Sequence, residues 1–215
     1  MPAQHAYRKQ FDEQLANIDA KVIRLFALVT EAIAAATQAL LADDTATART
    51  ITERDIVVDQ LEADLEALAQ RELARQAPVA GDMRYLISVI RVVPELERSG
   101  DLAQHVAQRA VRGLATRLTP SMRGLLDDMG STAVSMWHAA ADAWAERDAR
   151  AADDIDRTDE HLDALHERLI AELVSSNLEL EAAVQTALVG RFYERLGDHA
   201  VHIAERVRYM AVGTT

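Results

Sequence analysis

The chain repeats itself, and this constrains its fold more than any other feature of the sequence. The segment ERSGDLAQHVAQRA begins at Glu97 and the segment ERLGDHAVHIAERV begins at Glu194, an offset of 97 residues. Glu, Arg, Gly, Asp, Ala, His, Ala and Arg recur in register between them. A duplication of this kind builds one supersecondary unit twice. The two copies are expected to occupy residues 1–116 and 117–215.

Within each copy, apolar residues return at three-to-four spacing, as at Ile18, Val22, Leu25, Val29 and Ile33, which is the period of an amphipathic helix. The spacing predicts six helices, at roughly 8–42, 45–76, 82–116, 120–146, 148–176 and 179–211. Breaks fall at Asp43 to Thr45, Ala77 to Gly81, Thr119-Pro120, Glu146 to Asp148 and Ser175 to Asn177. Thr119-Pro120 reads as an N-cap followed by a proline in the first helical position. Composition agrees: 49% of residues are hydrophobic but only 4% aromatic, and Ala, Leu, Val and Ile with little Gly or Pro suit packed helices better than sheet. The expected fold is all-α: six helices in two related three-helix bundles. Helices of about 30 residues are about 45 Å long, so the bundles are elongated. Pro94 lies inside the third helix and removes a backbone donor, so a kink is expected there.

The net charge of -12 argues against a nucleic-acid partner, because phosphate backbones need a basic surface. It also disfavours an anionic membrane surface. With no cysteine in the chain, disulfides, thiolate metal sites and cysteine nucleophiles are excluded. The N-terminal MPAQHAYRKQFDEQ has no apolar core of a signal peptide. The most apolar stretch, Val22 to Leu41, carries Arg24 and Glu31 and reads as a core-facing helix, not a membrane span. A cytoplasmic location is the expectation.

Four acidic pairs stand at i,i+4 spacing: Asp55/Asp59 and Glu97/Asp101 in the first copy, Asp159/Asp163 and Glu194/Asp198 in the second. Such pairs share a helix face, and like charges there are mildly destabilising. Hairpin geometry sharpens the point. Asp55 with Asp101, and Asp59 with Glu97, are both centred on Pro78, inside a predicted turn. Asp159 with Asp198, and Asp163 with Glu194, are both centred beside Asn177, inside another. Each copy is therefore expected to bring four carboxylates together on an antiparallel helix pair. Hard oxygen ligands of this kind suit magnesium, manganese, calcium or iron. The alternative is that they form solvated faces paired with Arg98 and Arg195. His105 and His202 extend each acidic stripe by one further i+4 step. A drift of about 40° per step leaves each His at the edge of its face. There it serves as a solvated or neighbour-bonded residue, or as a nitrogen ligand or outer contact that tilts the site toward iron, manganese or zinc.

On these residues the chain resembles the PhoU family, the accessory regulators of bacterial phosphate transport. RQAPVAGDMRYLISVI is similar to the loop and helix start of the family's first repeat. ERSGDLAQHVAQRA and GRFYERLGDHAVHIAERVRYMAVG are similar to its two signature segments. The resemblance spans essentially the full chain. It implies two related three-helix bundles whose E/DxxxD motifs, here the four pairs above, bind metal ions, iron among them. It also implies a non-enzymatic negative regulator of the phosphate-starvation response. The implied partners are the phosphate ABC transporter, with its ATPase, and a membrane sensor histidine kinase; a homodimer is implied as well. Two positions depart from the family pattern: Pro94, in a helix usually continuous there, and His202, where members often carry Asn.

Other readings are weaker on the residues. A ferritin-like di-metal enzyme needs Glu-x-x-His motifs on two helices. This chain offers only Asp163-Ala-Leu-His166, and Glu62 stands at the matching place in the first copy. No serine is accompanied by a base that would make it a nucleophile. A metal-independent adaptor with an acidic docking face shares the regulatory role and differs only in mechanism. Met136, Trp137 and Trp144 on the fourth helix are expected in the core or at a dimer contact, and Phe192 and Tyr193 in the core.

Overall fold

A computed structural model of the chain describes residues 2–76, 78 and 80–213, with side chains for all of these except 2–7, 54, 55 and 76. Six helices follow one another: α1 (Pro2–Ala42), α2 (Thr45–Gln76), α3 (Gly81–Val111), α4 (Pro120–Glu146), α5 (Ala151–Ser175) and α6 (Leu180–Val212), with one 3-10 turn at Ala115–Arg117. There is no strand among the described residues. α1, α2 and α3 pack on one another, as do α4, α5 and α6, and the two bundles join through α1 on α4 and α3 on α6.

The helix ends follow local chemistry. Asp43 takes a left-handed conformation with φ 51, and Asp44 Oδ1 accepts the amides of Ala46 at 3.0 Å and Thr47 at 3.1 Å, an N-cap for α2. Thr119 Oγ1 accepts the Met122 amide at 3.2 Å, with Pro120 opening α4. Three boundaries differ from expectation by three residues or more, the first being α1, which begins at Pro2 and not at 8. α3 ends at Val111, not 116, because Gly113 turns the chain with φ 65. α5 begins at Ala151, not 148, because Arg147 closes α4 at φ 57 and Asp148 Oδ1 takes the Arg150 amide at 2.8 Å. No break occurs at Pro94. α3 runs through it, flanked by the fully buried Val92, Val93 and Leu96, whose packing sustains a turn that has lost one hydrogen bond.

The apolar stretch of α1 lies at the centre of the molecule. By length and composition, Arg8–Ala42 alone among the described residues could cross a membrane. Here its Val22, Leu25, Phe26, Val29, Ile33, Ala36 and Leu40 are buried. Phe26 meets both indoles of α4, with ring centroids 6.3 Å from Trp137 and 6.2 Å from Trp144. Trp137 Nε1 donates to the Leu196 carbonyl at 3.0 Å, deep in the second bundle. Met136, Trp137 and Trp144 are therefore core residues covered within this chain. The apolar face that had suggested a dimer contact is taken up by the other repeat.

Two contacts lock the bundles together. Asp19 Oδ1 on α1 accepts from Arg147 at 2.6 Å, from Trp144 Nε1 at 3.1 Å and from the Tyr85 hydroxyl at 3.3 Å. One carboxylate thus ties α1 to α3 and to the end of α4, with the Arg147 guanidinium also lying over the Tyr85 and Trp144 rings. The second contact is a close approach of α1 and α4 at Gly130, where a Cβ would sit 2.3 Å from Thr37 Cγ2. Thr37 donates to the Ile33 carbonyl at 2.9 Å, so Tyr193 donates to Thr37 Oγ1 at 2.8 Å. Gly130→Ala should destabilise the protein by about 1–3 kcal/mol, as overpacking does. The penalty should shrink when Thr37 is also changed to Ala, because contacting sites couple. Equal penalties in both backgrounds, measured by urea denaturation, would locate the strain elsewhere.

Candidate functional site

In the second repeat, α5 and α6 approach so closely that only glycine fits on α6. A Cβ at Gly197 would stand 2.2 Å from Asp159 Oδ1 and 2.8 Å from Leu162 Cδ2. One at Gly190 would stand 2.8 Å from Leu169 Cδ2 and 3.0 Å from His166 Cδ2. This contact sets Asp159 against the α6 backbone beside Asp198, as the hairpin register requires. Asp159 Oδ1 is buried without a hydrogen-bond partner. Burial, then repulsion from Asp163, Asp198 and Asp156, pushes its carboxyl up to about 6, with His202 opposing. Glu194 is half-buried; its Oε2 meets the Arg191 guanidinium as an ion pair but without hydrogen-bond geometry. Asp163 is exposed and Asp198 half-buried. Electrostatically, Asp159, Asp163 and Asp198 form one group across the two helices, with Glu194 alongside on α6.

The first repeat shows the same pattern of exposure. Asp59 is exposed on α2, while Glu97 and Asp101 are half-buried on α3. The Asp55 side chain lies outside the described residues. Glu62 reports the grouping: burial raises its carboxyl, Glu66 and Asp59 raise it further, Arg98 opposes, and Asp101 adds to the rise across the helix pair. Among the described residues, no three His, Asp or Glu side chains stand close enough together to hold an ion in this arrangement. The donor set nevertheless suits a hard cation, being all carboxylate, mutually repelling and, in the second repeat, carrying two buried oxygens without hydrogen bonds.

The two histidines lie at the edge of their stripes, over the α3–α6 seam. His105 stacks on Phe192 of α6 at 5.4 Å, with its Nδ1 buried and without a partner. It therefore faces the opposite repeat and not the α2 carboxylates. His202 is exposed and close enough to Asp159 to counter that carboxyl's upward shift. His166 is half-buried against Gly190, and burial, then Arg191, lowers its pKa.

One polar cluster in the seam has no counterpart among the expected residues. Ser99 Oγ lies 2.8 Å from His199 Nδ1, and His199 Nε2 lies 3.5 Å from Glu95 Oε2. Its signal in the sequence is a difference between the copies, since Leu102 stands where the second copy has His199. The arrangement imitates a hydrolytic triad without being one. Ser99 is fully buried and donates to the Glu95 carbonyl at 2.7 Å, so its oxygen meets no substrate. It is a bolt between α3 and α6, one residue from Asp198 and two from Glu97.

The raised Asp159 carboxyl has a pH consequence. Its folded-state value lies above the ordinary 3.8, so the native chain holds the proton more tightly than the unfolded one. Native stability therefore falls as pH climbs from about 4 to about 6. In metal-free buffer, Asp159→Asn should raise the denaturation midpoint at pH 7.5, and the gain should disappear by about pH 4. No gain at pH 7.5 would mean that the carboxylate is already compensated.

A family model described as the PhoU domain matches residues 22–110 and again residues 126–207. Phosphate-specific transport system accessory protein PhoU homolog 1 of Mycobacterium leprae is 36% identical over 211 residues, covering 96% of this chain and 95% of that protein. The PhoU homolog of Pseudomonas aeruginosa is 33% identical over 216 residues, covering 98% and 88%. The crystal structure of PhoU from Pseudomonas aeruginosa matches with a TM-score of 0.89 and 31% identity over 95% of this chain and 100% of that one. The phosphate transport system regulatory protein PhoU from Streptococcus pneumoniae matches at 0.84 and 26% identity, over 95% and 98%. Twice matched by the family's domain and alike over nearly its whole length in sequence and fold, this chain belongs to the PhoU family.

Proposed function

We propose that the chain regulates phosphate uptake as an accessory of a phosphate-specific transport system and restrains the phosphate-starvation response when phosphate is plentiful. In this reading it is a cytoplasmic homodimer that links the transporter's ATPase to a membrane sensor histidine kinase. The observation that carries the proposal is the full-length match to proteins named as phosphate-specific transport system accessory proteins. The role is regulatory and not enzymatic. Deleting the gene should raise starvation-gene expression in phosphate-rich medium, read by a transcriptional reporter. Unchanged expression in a strain lacking other members of the family would count against the role.

The carboxylate groups are the proposed metal sites. Asp159, Asp163, Glu194 and Asp198 would hold ions in the second repeat, and Asp55, Asp59, Glu97 and Asp101 in the first. A hard cation, whether iron, manganese or magnesium, would offset the repulsion that raises Asp159. His105 and His202 take outer roles at most, His105 because it is stacked on Phe192. The spread of the carboxylates favours a second reading, a metal-independent adaptor whose acidic face docks a basic partner. Elemental analysis of protein purified without chelator separates the two. Metal lost on changing Asp159, Asp163, Glu194 and Asp198 to their amides supports the sites, and metal-free wild type supports the adaptor.

A further inference from the structure

The α3–α6 seam has two faces, and the repeat offset of 97 residues maps one onto the other. On the first face, Phe192 of α6 sits in a clamp formed by α3. The His105 ring stacks on it at 5.4 Å, and the Arg109 guanidinium lies 5.0 Å from its centroid. Arg109 is held in place by Gln185 at 3.1 Å and by the His105 carbonyl at 2.8 Å. On the second face the clamp residues recur as His202 and Arg206 of α6. The counterpart of Phe192 is Glu95, and that of Leu188 is Arg91. No ring fills this notch. The Glu95 carboxylate reaches instead toward His199 Nε2 at 3.5 Å and Arg98 at 3.3 Å. What remains is a cavity of about 230 Å³ lined by Arg91, Glu95, His202, Glu205 and Arg206 among others. Arg206 leans toward the Tyr209 ring, 6.0 Å from its centroid.

We propose that this notch receives an aromatic side chain from a partner protein, held against His202 and Arg206 as Phe192 is held against His105 and Arg109. The chain itself shows what the clamp is built to hold. A guanidinium over a ring face gains from the ring's quadrupole, and an imidazole stacks on the same ring. Arg91 and Arg206, flanked by Glu95 and Glu205, leave the rim polar and close to neutral, as the edge of a protein contact is. The mirror site is half-buried at His105 and Phe192, whereas this one opens to solvent at His202, Arg91 and Glu205, which are exposed. The inference is independent of metal binding.

The probe is N-acetylphenylalanine amide, titrated into full-length protein carrying ¹³C-labelled histidine and followed by NMR. A saturable upfield shift of the His202 ring carbons, absent with N-acetylleucine amide, is expected. Arg206→Ala should weaken binding about fivefold or more, the order of a half-exposed cation–π contact. Glu95→Phe should fill the notch from within, shift His202 without any probe and abolish binding. Should that variant fail to fold, because Glu95 faces His199, the Arg206→Ala comparison decides alone. Absence of a saturable shift, equal binding of the leucine probe, or unchanged affinity in Arg206→Ala would each overturn the proposal. So would adenosine binding the notch more tightly than the phenylalanine probe, which would make it a nucleobase site.

Discussion

The contact on which the candidate site depends is the glycine-lined approach of α6 to α5. At Gly190 and Gly197 the α6 backbone comes within reach of Leu169, Leu162 and the Asp159 carboxylate, leaving no room for a Cβ. Apolar packing of Leu162, Leu165 and Leu169 holds the two helices together, and that packing carries the acidic side chains with it. The carboxylates do not stabilise the hairpin; they are imposed on it. A group of acids that the core forces together, with one of them pushed up to about 6, is a reservoir of repulsion that a cation or a proton can discharge.

The same helix makes the seam between the repeats, and there the duplication is imperfect. Ser99 and His199 bond where the pseudo-equivalent residues, Leu196 and Leu102, are apolar. Glu95 turns toward His199 where Phe192 fills the opposite notch. One side of the seam is a closed aromatic packing and the other a polar bolt beside an open cavity. Symmetry built the scaffold, and departures from it supplied chemistry that differs between the two faces.

Much of this was readable in the sequence, because helix periodicity and repeat register are local or arithmetic signals. The six helices, the N-cap at Thr119 and the α5–α6 hairpin register were legible from spacing and turn chemistry. The electrostatic grouping of Asp159 with Asp198, and of Glu62 with Asp59 and Asp101, follows that register. What escaped depends on contacts between distant segments. The late start of α5 rests on one residue, Arg147, adopting a left-handed conformation that no pattern announces. The destination of α4's tryptophans became visible only when α1 was laid across them, and the same holds for His105 and Phe192 across the seam.

The Asp19 hub has an evolutionary consequence. Its acceptor is on α1, while its three donors come from α3, from the indole of α4 and from the residue that closes α4. Losing Asp19 leaves the fully buried Trp144 indole in the other repeat without its acceptor, and losing Trp144 or Arg147 removes a donor that reaches Asp19 across the repeat boundary. Once fused, the two copies could no longer diverge as independent modules. Asp19, Tyr85, Trp144 and Arg147 are bound to drift together, so their substitutions across the family should covary over the repeat boundary, tracing the event that made one chain of two.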